Sequence, residues 1–177
     1  IVAKRNGANV TLLERNDRVG KKLLATGNGR CNYTNLNINI NNYHGLNKSF
    51  VKDALEKFSM KKTIGFFEEL GITPADEDNG KVYPLSFQSS SMLDVLRYEL
   101  AYAGVELITE AFVSEVKKKN NFNVKLKDGR VFEGNKVILA TGGMAMPASG
   151  SDGTGYSLAK SLGHTITDIF PGLVQLK

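Results

Sequence analysis

Glu14 closes a short apolar run, Asn9-Val10-Thr11-Leu12-Leu13-Glu14, and a glycine-rich polar stretch follows at Lys21-Lys22-Leu23-Leu24-Ala25-Thr26-Gly27-Asn28-Gly29-Arg30-Cys31-Asn32. An acid at the end of a buried strand can accept hydrogen bonds from ribose hydroxyls. Glycines let backbone N–H groups approach an anion or a flat ring with no side chain in the way. Lys21, Lys22 and Arg30 add positive charge where a pyrophosphate could use it. Together these residue types are suited to holding a dinucleotide. An acid in place of a neutral or basic residue suits a free 2′-hydroxyl over a 2′-phosphate, and Arg15 beside it pulls the other way.

Other chemistries find less support. A P-loop needs a glycine five residues before Gly20, where Arg15 stands, and a Ser or Thr after the lysine, where Lys22 stands. Gly27 and Gly29 follow the acid, whereas a G-x-G-x-x-G fingerprint precedes it. Cys31 has no second cysteine for a redox disulfide, so a packed, inert thiol is the reading preferred. His44 and His164 are too far apart in sequence to suggest a metal site, and no Ser-His-Asp order suggests a hydrolase. No metal is expected, and no residue is assigned an acid–base role.

The elements that must position these residues follow from periodicity. Residues 9–14 read as a buried strand. The asparagine-rich segment 32–47 reads as irregular. Three helices are expected, at 48–57, at 60–70 with Ser59 as N-cap and Gly71 past its end, and at 92–103 before Gly104. From Val105 the period changes to two. Strands are expected at 105–108, 111–118 and around Phe122, Val124 and Leu126, with Asp128-Gly129 turning into a strand at Val131 and Phe132. Residues 136–140 read as another buried strand, and 154–162 as a helix.

The composition, 41% hydrophobic and 23% charged with a net charge of +5, is that of an ordinary folded domain. Separated lysine clusters read as solvated faces, so nucleic acid is the minority expectation. No apolar run approaches a membrane span, so no membrane partner is expected. One cysteine fits a reducing compartment, and a cytoplasmic location is expected.

Three motifs carry a family resemblance: Leu12-Leu13-Glu14 through Asn32, Val137-Ile138-Leu139-Ala140-Thr141-Gly142-Gly143, and Gly150-Ser151-Asp152-Gly153-Thr154-Gly155-Tyr156. Across residues 1–177 the chain resembles the YhiN-like, or aminoacetone-oxidase-like, bacterial flavoproteins, a family that includes an enzyme proposed to act in bile-acid dehydroxylation. The resemblance implies an α/β fold: a glutathione-reductase-like, Rossmann-type FAD-binding domain with a β-meander and an inserted helical block. Residues 1–34 and 105–170 would form the dinucleotide fold, 35–104 the inserted block, and 171–177 the start of a substrate-side region. It further implies that Glu14, Lys22, Gly27, Asn28, Gly29, Arg30, Asn32, Val113, Thr141, Gly142 and Gly143 bind FAD, with the backbone of Val113 meeting the adenine. No role is carried onto Met146 or Asp152, where the chain departs from the family pattern.

The implied activity is that of an FAD-dependent oxidoreductase with NAD(P)H as donor and a small-molecule substrate. The alternatives are a flavin-dependent RNA-modifying enzyme and a non-catalytic flavin-binding module. The opening residues, 1–7, read as a helix end stopped at Gly7. In such a fold a strand and a G-x-G-x-x-G turn precede that helix, and the resembled family continues past a position like Lys177. The expectation is therefore an internal piece of a longer protein, needing the rest of its chain for a complete site.

Overall fold

A computed structural model describes residues 1–45 and 47–172. Backbone contacts group them into two compact units: 1–9 with 23–105, and 10–22 with the described residues from 106 onward. The glycine-rich loop at 26–32 thus belongs to the unit that contains the inserted segment. The expected substrate-side start at 171–177 falls mostly outside the described residues.

In the second unit, β1 (Thr11–Leu13) and β5 (Glu106–Ile108) pair in parallel, with Leu12 opposite Leu107 and Leu13 opposite Ile108. Parallel neighbours require a crossover, and here the crossover is the whole intervening segment. After β5 come β6 (Val113–Lys118), β7 (Phe122–Leu126) and β8 (Val131–Gly134), an antiparallel meander in the order β6-β7-β8. The period-two pattern places Val116, Val124 and Leu126 inside. Helix α6 (Thr154–Ser161) adds Leu158 to this core, and Leu13, Phe132 and Val137 pack around it.

The expected strand at 136–140 does not form. Lys136 to Ala140 takes no strand pairing among the described residues, and Ile138 is 82% exposed. An apolar run becomes a strand only where a neighbour takes its N–H and C=O groups. Val137 alone reaches the core.

The first unit begins with the short helix α1 (Val2–Arg5), followed by Gly7 with φ +84°. It resumes at Leu23 and Leu24, the second half of the short helix α2 (Lys21–Leu24), which leads into a 3-10 turn at Thr26–Gly29. Of the three expected helices, the first splits into a 3-10 turn at Lys48–Val51 and α3 (Lys52–Lys57). The second is α4 (Met60–Glu69), capped by Ser59 Oγ accepting from Lys62 N–H at 3.4 Å. The third, α5 (Ser89–Tyr102), starts three residues earlier than the apolar stripe suggests. Ser89 is buried in its first turn and donates to the Leu24 carbonyl at 3.0 Å.

The segment expected as an irregular stretch followed by a helical block also carries a sheet, β2 (Thr34–Asn35), β4 (Lys81–Pro84) and β3 (Pro74–Glu77) in that order. Pro74 and the acids Asp76 and Glu77 mask the strand character of β3, because such residues are depleted in sheets. Burial of Val82 and Tyr83 on β4 and pairing on both its edges override that preference. Part of the asparagine-rich segment is ordered by the same sheet. Leu36 N–H donates to the Gly80 carbonyl at 2.7 Å, and Asn35 Nδ2 to the Asn79 carbonyl at 3.0 Å. The core here is Cys31, Ile72 and Met92, with Leu23, Tyr33, Phe67 and Val95 against it.

Candidate functional site

The expected cofactor residues fall in two groups. Glu14, Lys22, Val113, Thr141, Gly142 and Gly143 lie in the second unit; Gly27, Asn28, Gly29, Arg30 and Asn32 lie in the first.

In the second unit, Glu14 follows β1 directly and continues its parallel pairing. Its N–H donates to the Ile108 carbonyl at 2.9 Å, and its carbonyl accepts from Ala111 N–H at 2.8 Å. The carboxylate is held in place: Oε1 accepts from both the backbone N–H and the Nδ2 of Asn16, each at 2.8 Å. Asn16 Nδ2 also reaches the Ser149 carbonyl at 3.3 Å. Arg15 Nη1 pairs with Asp152 Oδ2 at 2.5 Å, and its Cζ lies 4.9 Å from the Phe112 ring centre. The other carboxylate oxygen of Asp152 accepts from Thr154 N–H at 3.1 Å and Thr154 Oγ1 at 2.8 Å, at the start of α6. The arginine and the threonine hydrogen bonds together hold the Asp152 carboxyl well below the ordinary carboxylate range. The strand end is thereby fastened to the loop that opens α6.

Thr141, Gly142 and Gly143 pack on that same loop. A β-carbon on Gly142 would stand 2.6 Å from Ser151 Oγ, and the Gly143 carbonyl accepts from Gly153 N–H at 3.0 Å. Close approach to residues 151–155 therefore accounts for glycine at 142 without a ligand. Val113 opens β6 opposite Leu126, beside a register shift, with its side chain packed against the core. Lys22 is exposed on α2.

In the first unit, Gly27, Asn28, Gly29 and Cys31 all have positive φ. The chain coils left-handed here and is closed by Cys31 N–H donating to the Thr26 carbonyl at 3.0 Å. A β-carbon on Gly29 would meet nothing within 4 Å, so that face of the backbone is open, as a cradle requires. Arg30 is otherwise engaged. Its Nη1 pairs with Glu77 Oε1 at 2.7 Å, and its Cζ stacks 4.4 Å from the Tyr83 ring centre. Asn32 Nδ2 donates to the Val82 carbonyl at 3.0 Å. Arg30 and Asn32 thus fasten the loop to β3 and β4, while Gly29 presents backbone.

Sequence reasoning assigned no role to Asn16 or Asp152. Adjacency to Glu14 was the available signal for Asn16. Asp152 lies 137 positions from Arg15, and no local pattern links the two.

Among the described residues no cluster of His, Cys, Asp and Glu is arranged to hold a metal, and no helix is long and apolar enough to cross a membrane. A family model described as the HI0933-like protein Rossmann domain matches residues 1–177. The 3-dehydro-bile acid delta(4,6)-reductase of Clostridium scindens is 42% identical over 170 residues, covering 96% of this chain and 41% of the relative. Two ribosomal RNA dihydrouridine synthases are each 29% identical. That of Haemophilus influenzae covers 89% of this chain and 40% of its own length. That of Escherichia coli covers 98% and 43%. The chain spans about two-fifths of the length of these curated relatives.

Proposed function

The chain belongs to the HI0933-like Rossmann-domain family, and from that premise we propose that it supplies FAD-binding structure to a flavoprotein oxidoreductase. The observation that carries this reading is the Glu14 carboxylate at the end of a parallel strand, set in position by two hydrogen bonds from Asn16. A carboxylate held by one oxygen keeps acceptor capacity on the other, which suits the hydroxyls of an adenosine ribose. The open backbone at Gly29 suits a phosphate or the edge of a ring. These donor and acceptor types fit FAD.

Bound flavin would supply two-electron redox chemistry. The residues of this chain bind and orient it. In the second unit, Glu14 would hold the ribose, the backbone of Val113 would border the adenine, Lys22 would face the pyrophosphate, and Thr141, Gly142 and Gly143 would lie against the cofactor. In the first unit, the loop at 26–32 would offer backbone donors to a phosphate or ring edge. The reduction named for the bile-acid relative supports an oxidoreductase acting on a small molecule; NAD(P)H as donor and a cytoplasmic setting belong to the same proposal. The second reading is flavin-dependent RNA modification, supported by the names of the two dihydrouridine synthases and the net charge of +5.

The test is the absorbance spectrum of the intact protein as purified, followed by anaerobic addition of NADH or NADPH. Flavin bands that bleach with one nucleotide support the reading. A colourless protein that takes up no FAD overturns it. Steeply salt-dependent binding of ribosomal RNA by the flavin-loaded protein would favour the second reading.

A further inference from the structure

Glu14 and Arg15 make opposite demands on a nucleotide. An acid at a strand end accepts from a free ribose diol, whereas an arginine there accommodates a 2′-phosphate. The geometry separates the two side chains. Glu14 is turned onto Asn16. Arg15 is drawn onto Asp152 and lies against the Phe112 ring. The side chains of Arg15 and Asp152 keep only 33% and 25% of their exposure, so the pair is partly withdrawn from water. A charge-assisted contact of this kind is stronger than a neutral one, and a guanidinium committed to it has less capacity for a bidentate grip on phosphate. Asp152 is itself held by Thr154 and does not depend on Arg15 for its place.

We propose that Asp152 is a specificity-determining residue of the ribose site: by holding Arg15 against itself and Phe112, it leaves Glu14 to meet the ribose without the arginine's charge, so that the site takes adenosine with a free 2′-hydroxyl and rejects its 2′-phosphate. The proposal rests on the assignment of Glu14 to the ribose.

The test uses the intact protein stripped of flavin, with ADP, 2′-deoxy-ADP and 2′-phospho-ADP competing against FAD rebinding, read by quenching of flavin fluorescence. Wild type should favour ADP over both analogues by about tenfold or more. Asp152→Asn removes the charge that holds Arg15 but keeps a side-chain oxygen able to accept from Thr154 N–H and Oγ1. In this variant the preference for ADP over 2′-phospho-ADP should fall about tenfold, and adding Arg15→Ala should restore it. Phe112→Leu, which removes the ring under the guanidinium, should shift the same ratio in the same direction.

A ratio unchanged in both Asp152→Asn and Phe112→Leu overturns the proposal. So does an equal loss for all three ligands, which is the signature of a structural role alone. If wild type does not distinguish ADP from 2′-deoxy-ADP and Glu14→Gln binds as wild type does, the ribose assignment fails first and the proposal falls with it.

Discussion

Thr141 occupies the space that a side chain at Gly155 would need: its Oγ1 and Cβ lie where a β-carbon on that helix residue would stand. Gly155 is buried in the first turn of α6, so the contact joins the glycine-rich turn after residue 140 to the helix that follows it. Gly155→Ala should therefore destabilise the protein by about 1–3 kcal/mol, the usual cost of forcing atoms into a filled space. Denaturant unfolding measures this. In a Thr141→Gly background the same change should cost much less, and an equal cost in both backgrounds would show that the contact does not decide the choice of glycine.

Glu14→Ala should weaken FAD binding by roughly 1.5–3 kcal/mol, about ten- to a hundredfold, through loss of a charged acceptor for the ribose hydroxyls. Titration of the flavin-free protein with FAD gives the dissociation constant directly. An unchanged constant would remove Glu14 from the site.

Tyr33 packs edge-on against Phe67, with ring centres 5.1 Å apart, and its hydroxyl is buried with no hydrogen-bond partner among the described residues. Burial pushes the phenol pKa up from its ordinary value, because water no longer solvates the phenolate. Tyr33→Phe removes an unsatisfied group while keeping the ring. It should leave stability unchanged or raise it by up to about 1 kcal/mol. A loss of more than that on thermal or urea unfolding would mean that the hydroxyl has a partner in the intact protein.

The folded-state pKa of Asp152 is depressed below the ordinary carboxylate value of 3.8. A depressed carboxylate pKa contributes stability that is fully present above the unfolded value and is lost as pH falls through the folded one. Asp152→Asn should therefore cost most at neutral pH, and its difference from wild type should shrink as pH is lowered from about 4. Unfolding curves for the two proteins between pH 7 and pH 3 test this; a difference that grows toward acid would contradict it.

The β6-β7-β8 meander was legible because its side chains alternate about a marked turn, and α4 because Ser59 and Gly71 bracket it. Pairs settled by distant partners were not. Pro74, Asp76 and Glu77 conceal a strand that exists because β4 lies beside it. Residues 136–140 advertise a strand that finds no partner among the described residues. At the site, a strand-end acid with a glycine loop was readable as local pattern. The hold of Asn16 on Glu14 depends on rotamer and turn geometry, and that of Asp152 on Arg15 on a contact across most of the chain. Arg30 was legible as a positive charge, but its engagement with Glu77 and Tyr83 was not.

The parallel pair β1–β5 joins Thr11 to Glu106, whose side chains also meet through a hydrogen bond across 95 positions. Closing a flexible loop of that length costs on the order of 4 kcal/mol in chain entropy. Helices α4 and α5 and the β2-β4-β3 sheet find most of their partners within that loop. Ordering them first shortens the free chain that the pairing must close. During synthesis at about 5–20 residues per second, β1 waits several seconds for the partner strand to be made. Its three residues meet that partner only after the intervening segment has begun to fold, which makes the pairing a late and comparatively slow event in assembly.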